Sequence, residues 1–147
     1  MRAVIQRVSW ASVSVGEEMI SQIGPGLLVF LAIGEEDQET DLNWMVDKVY
    51  HLRCFEDEGG KMDRSLKQTG KELLCVSQFT LYGDCRRGRR PSFDGAAAPP
   101  LATRLFEKFV DKMKEEGVNV ICGKFGARMK VALENEGPVT LILDSKT

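Results

Sequence analysis

Leu27-Leu28-Val29-Phe30-Leu31-Ala32-Ile33 is the longest apolar run in the chain, and the neighbouring elements are placed from it. It is far below the ~20 residues that a helix needs to cross a bilayer, so it reads as a buried strand. Gly24-Pro25-Gly26 breaks the chain just before it. Upstream, Val4, Val8, Trp10, Val13 and Val15 recur at short spacing, Gly16-Glu17-Glu18 looks like a turn, and Ile20 to Ile23 continues the pairing. The simplest arrangement of these segments is an antiparallel meander.

Downstream, the polar stretch Asp37 to Thr40 can cap a helix in which Leu42, Met45, Val46, Val49 and Leu52 share one face. Asp57-Glu58-Gly59-Gly60-Lys61 has the composition of an exposed turn, and Glu72 to Thr80 reads as a strand through Leu73, Leu74, Cys75 and Val76. Asp84 to Pro100 is irregular, holds Arg86, Arg87, Arg89 and Arg90, and is too long to be mere connection. Pro99-Pro100 opens a second helix with Leu101, Leu105, Phe106, Phe109, Val110 and Met113 as its apolar stripe and Gly117 as its stop. Val118 to Cys122, Met129 to Leu133 and Val139 to Leu143 are three further strand candidates.

With 147 residues, no linker and no repeat, the chain is expected to form one domain over 1–147. The opening Met1-Arg2-Ala3-Val4-Ile5-Gln6-Arg7-Val8 lacks the apolar stretch and small-residue cleavage site of a signal peptide, so a cytoplasmic protein without membrane contact is expected. Cys54, Cys75, Cys85 and Cys122 are widely separated and His51 is the lone histidine, a pattern that predicts free, mostly buried thiols and no metal. His51 falls in the last turn of the first helix, where a structural role is favoured over a catalytic one. A net charge of −2 and a pI near 5.5 argue against indiscriminate coating of nucleic acid, so any RNA contact must be local.

Two motifs supply hydroxyls, amides and a Gly-Pro bond but neither imidazole nor paired carboxylates: Ser77-Gln78-Phe79-Thr80-Leu81 and Asn135-Glu136-Gly137-Pro138-Val139-Thr140. A tight turn at the first can aim successive backbone N–H groups at one oxygen and so form an oxyanion hole from main chain, which suffices for an ester that is already activated. The same residues also fit an ordinary half-buried strand, and Gly137-Pro138 fits a simple strand start. Gly-x-Ser-x-Gly is missing, which counts against a general serine esterase. A non-catalytic RNA-binding module using the arginine loop and exposed aromatic residues is the other rival.

Taken together, the two motifs closely resemble the signature of D-aminoacyl-tRNA deacylases, and Gly123-Lys124-Phe125-Gly126-Ala127-Arg128-Met129 resembles the stretch that the family places between them. The likeness runs from Met1 to the last strand. It implies a β-rich α/β fold, with a curved or barrel-like antiparallel or mixed sheet flanked by two main helices. It further implies a cofactor-free hydrolase acting on the 3′-terminal aminoacyl-adenosine of charged tRNA. The backbone N–H groups of Phe79 and Thr80 would stabilise the oxyanion, and Ser77, Gln78 and Met129 would line the substrate site. The implied assembly is a homodimer in which a cis Gly137-Pro138 of one subunit enters the pocket of the other, holds the substrate ammonium and walls off L-residues. Glycine, lacking a side chain, would pass. Thr80 Oγ as nucleophile is the competing assignment, disfavoured because no base is evident beside it. Arg7 is either a fixing group for the Gly-Pro element or a structurally paired arginine. Phe125 is expected mainly to pack the core, and the arginine cluster either contacts tRNA phosphates or is a solvated loop.

Overall fold

The computed structural model describes residues 1–147. In chain order its elements are β1 (Arg2–Val15), β2 (Glu18–Ile23), β3 (Gly26–Ala32), α1 (Glu39–His51), β4 (Phe55–Glu56), β5 (Met62–Arg64), α2 (Leu66–Thr69), β6 (Glu72–Ser77), a 3-10 turn (Phe79–Tyr82), α3 (Pro99–Glu115), β7 (Val120–Cys122) and β8 (Lys130–Asp144). β4 and β5 form a small separate hairpin, and the other strands make one six-stranded sheet.

β1 is the spine of that sheet. β8 runs antiparallel along one edge of β1 for nearly its whole length, while β2 and β3 share the other edge. Ala11 faces Ile23 and Val8 faces Gly26 in one unbroken register, so β2 and β3 are a single hairpin partner of β1 interrupted at Gly24-Pro25. The expected meander is therefore wrong: β3 returns to β1 instead of pairing with β2. Gly26 is required at the break, because a Cβ there would lie 2.0 Å from the Glu72 carbonyl oxygen of the neighbouring strand.

β3 pairs in parallel with β6, and β6 with β7. The Ser21 hydroxyl donates to the Cys122 carbonyl, tying β2 to β7 and nearly closing the mixed sheet into a barrel. Both faces of β3 are consequently covered, which is why its sequence is continuously apolar rather than alternating. Leu27, Val29 and Leu31 join the larger core under α1 and α3, with Leu42, Met45, Leu105 and Phe109. Leu28 joins a second core inside the barrel with Val8, Ala11, Val13, Leu74 and Val76. β1 contributes Ala3 and Ile5 to the first core and Ala11 and Val13 to the second, switching faces where its register against β8 slips around Val8.

The two C-terminal strand candidates, Met129 to Leu133 and Val139 to Leu143, are one strand. β8 pairs with β1 on both sides of Gly137-Pro138, and the residues between Asn135 and Thr140 bulge out between Val8 and Gln6. The strand read over Glu72 to Thr80 is also shorter than expected, ending at Ser77 before the 3-10 turn. The two main helices lie where the apolar stripes place them. The four-residue α2, between Ser65 and a left-handed Gly70, is too short to leave a stripe. No helix is long and apolar enough to cross a membrane. All four cysteines are free, with Cys54 and Cys75 buried, Cys122 half-buried and Cys85 exposed.

Candidate active site

The last ladder bond of β6 is the Gln78 N–H donating to the Leu31 carbonyl at 2.8 Å, after which the chain tightens into the 3-10 turn. Within the turn, the Leu81 N–H bonds the Gln78 carbonyl and the Gly83 N–H bonds the Thr80 carbonyl. Phe79 and Thr80 are the first two residues of the turn, and the first N–H donors of a helical segment have no acceptor within it. Tyr82 anchors the other end: the Arg2 guanidinium sits 4.5 Å from its ring centre, and Gly34 is so close that a Cβ would lie 2.6 Å from the Tyr82 hydroxyl. Burial first, then Asp37 and Asp144, push that hydroxyl's pKa up, so it stays neutral.

Beside the turn, at the C-terminal ends of the parallel strands β3 and β6, lies a cavity of about 290 Å³. This is where ligand sites form in parallel sheets. Its wall includes Ile33, Val76, Ser77, Gln78, Phe79, Ala102 and Phe106, with Phe125 and Met129 from the β7–β8 connection. Phe125 packs on Phe106 at 5.6 Å between ring centres, so it both closes the α3 side and lines the cavity. Met129 is seated over Gly123, where a Cβ would come within 2.7 Å of the Met129 sulfur. No ionisable side chain lines the cavity.

Ser77, Gln78, Phe79 and Met129 all line this one cavity. Thr80 stands next to them outside the lining, its hydroxyl accepting a hydrogen bond from the Gln78 side-chain amide. That hydroxyl has no imidazole, amine or carboxylate beside it. His51 is elsewhere, in the groove between α1 and α3, held to Asp47 at 3.1 Å and edge-on to Tyr50, which fits its structural reading. Ile33, Ala102 and Phe106 were not anticipated as lining. In the sequence Phe106 reads only as part of the second helix's stripe, and no local signal tells a cavity wall from core.

Gly137-Pro138 is cis, as the resemblance implies, but is not part of the cavity wall of its own chain. Arg7 holds the base of this bulge. Though only 6% exposed, it donates from Nε to the Glu136 carbonyl at 3.0 Å and from Nη1 to the Cys54 carbonyl at 3.0 Å, and its Nη2 lies 3.5 Å from Glu56. Arg7 therefore acts within one chain as a strut between the bulge and the β4 segment. Asn135 braces the other side, accepting the Val139 N–H at 2.8 Å and donating to the Thr140 hydroxyl at 2.8 Å.

The cavity is thus an apolar pocket whose polar side chains are Ser77 and Gln78, with no acid, base or metal ligand in its wall. Known proteins narrow this. The family model described as D-Tyr-tRNA(Tyr) deacylase matches residues 4–144. Proteins named D-aminoacyl-tRNA deacylase from Clostridioides difficile (strain 630) and Thermotoga petrophila are 57% and 56% identical, each over 99% of this chain and 97% of the relative. Among solved structures, one described as c-Myc DNA unwinding element binding protein superposes with a TM-score of 0.92 at 42% identity, covering 98% of both chains. A probable eukaryotic D-amino acid tRNA deacylase shares the fold, with a TM-score of 0.85 at 21% identity over 97% of both chains. The chain belongs to the D-aminoacyl-tRNA deacylase family.

Proposed function

We propose that this protein hydrolyses the ester joining a D-amino acid to the 3′-terminal adenosine of tRNA, that it also clears glycine, and that it rejects L-residues. The observation that carries this reading is the 3-10 turn opening at Phe79 and Thr80, whose N–H groups have no partner within it, beside an apolar cavity without ionisable walls. Water attacks the ester carbonyl, and the carbonyl oxygen, now an anion, is held by those two donors. The intermediate collapses by expelling the ribose 3′-oxygen, which takes up the proton that water gave away. The 2′-hydroxyl of the same ribose is the group placed to relay that proton, since the protein presents no base there. Ser77, Gln78 and Met129 form the bed for the terminal adenosine and the aminoacyl group.

Handedness comes from a second copy of the chain. The Gly137-Pro138 bulge is exposed and absent from its own chain's cavity, which favours its acting in the cavity of a partner. There its carbonyl oxygens grip the substrate ammonium and its backbone occupies the side on which an L side chain would project. Such exclusion by a rigid wall is a steric form of specificity. Incubating the protein with D-tyrosyl-tRNA and measuring free D-tyrosine tests the activity. Release with turnover is expected, whereas tight retention of intact charged tRNA would mark a binding module instead.

A further inference from the structure

We infer that the loop from Asp84 to Gly95 is a phosphate-binding arm that takes backbone phosphates of the substrate RNA's 3′ strand just upstream of the terminal adenosine; this rests on the deacylase reading above. The chain as a whole carries a net charge of −2, yet it concentrates Arg86, Arg87, Arg89 and Arg90 in one short segment. Arg86 is spent locally, its Nη2 lying 2.6 Å from Asp84 Oδ2 and its Nε 2.9 Å from Oδ1. Arg87, Arg89 and Arg90 are exposed and have no carboxylate partner. Three free guanidinium groups on an acidic protein form a local polyanion site, and their planar forks match phosphate oxygens.

The arm is not a loose tether. Asp84 and Ser92 exchange both backbone hydrogen bonds, at 2.7 and 3.0 Å, and so clamp its base. Just past the clamp, Phe93 lies edge-on to Phe79 with ring centres 5.2 Å apart. Gly83 makes that approach possible, since a Cβ there would sit 3.0 Å from both the Phe93 ring and the Thr80 carbonyl. The arm is thus fastened to the turn whose N–H groups face the reacting ester. A phosphodiester strand running from a nucleoside in the cavity over this loop meets Arg87, Arg89 and Arg90 against a single carboxylate not paired with an arginine, Asp94.

The test measures binding of uncharged tRNA as a function of KCl, alongside hydrolysis of D-tyrosyl-tRNA and of the D-tyrosyl ester of adenosine, which has no phosphate. In the triple variant R87A/R89A/R90A the log–log salt slope for tRNA binding should fall by about 2, from about 0.7 per single-strand phosphate contact. The loss of kcat/KM should fall on the tRNA substrate, through KM, and not on the nucleoside ester. The triple lysine variant, which keeps point charges, should restore most of the slope. An unchanged slope, or equal losses on both esters, would overturn the assignment. If the native protein hydrolyses neither ester, the deacylase reading has failed by itself, and the tRNA salt slope still decides the loop.

Discussion

Thr80 has two groups that chemistry could use, and the structure separates them. Its hydroxyl is occupied by the Gln78 amide, whereas its N–H is among the first donors of the 3-10 turn, which have no acceptor within it. Thr80→Ala should therefore retain most of kcat on D-tyrosyl-tRNA, while Thr80→Pro, which deletes the donor, should lose about 10²–10³-fold, the usual cost of one oxyanion donor. Abolition by alanine alone would restore the nucleophile model. Gly137 has φ +131°, and a Cβ there would lie 2.9 Å from the Arg7 guanidinium. Gly137→Ala should cost about 1–3 kcal/mol in urea unfolding from backbone strain and loosen the strut to Cys54. At this scale the motif residues and the Phe79 and Thr80 donors were legible through family resemblance, but the point where the strand gives way to the turn was not. The apolar pattern of Glu72 to Thr80 does not show where ladder hydrogen bonds stop, and the last of them, from the Gln78 N–H, is where the 3-10 turn takes over.

Among the elements, α1 shows how a helix start is tied to distant chain. Asp41 accepts the Gln38 N–H at 2.9 Å, the Ser145 hydroxyl at 2.7 Å and the Lys146 ammonium at 2.9 Å. Burial pushes its carboxyl pKa up, but these partners outweigh burial and bring it from 3.8 down to about 2. A carboxylate depressed in the folded state contributes stability above its unfolded pKa, and that stability is lost as pH falls through the folded value. Asp41→Asn should be less stable than the native protein at neutral pH by urea titration, and the gap should close between about pH 4 and pH 2. A gap independent of pH would contradict this role. The helix itself was readable because its apolar residues repeat every three or four positions. β8 was misread as two strands because Gly-Pro is local punctuation, whereas continuity is set by pairing with β1 at the far end of the chain. The same distance hid the collinearity of β2 and β3.

For the whole molecule, the cavity beside the 3-10 turn and the exposed Gly137-Pro138 bulge lie apart on one chain, and the proposed function joins them by taking the chiral wall from a second copy. If that wall works across a two-fold assembly, mixing a Thr80→Pro chain with a Gly137→Ala chain should recover up to about a quarter of native site activity at equal ratio, since half the dimers are mixed and each then has one intact site. The assay is D-tyrosine release after exchange of subunits, and no recovery would place wall and donors in the same chain. Periodicity indicated strands and two helices, and the resemblance supplied the barrel-like sheet. The pairing order could not be read, because register between distant strands leaves no local trace. The most direct test of chiral rejection is to incubate chelator-treated protein with D-tyrosyl-, L-tyrosyl- and glycyl-tRNA and follow release of each amino acid. D-Tyrosine and glycine should be lost rapidly with L-tyrosine left on its tRNA, and equal rates for the two tyrosine enantiomers would sink chiral rejection.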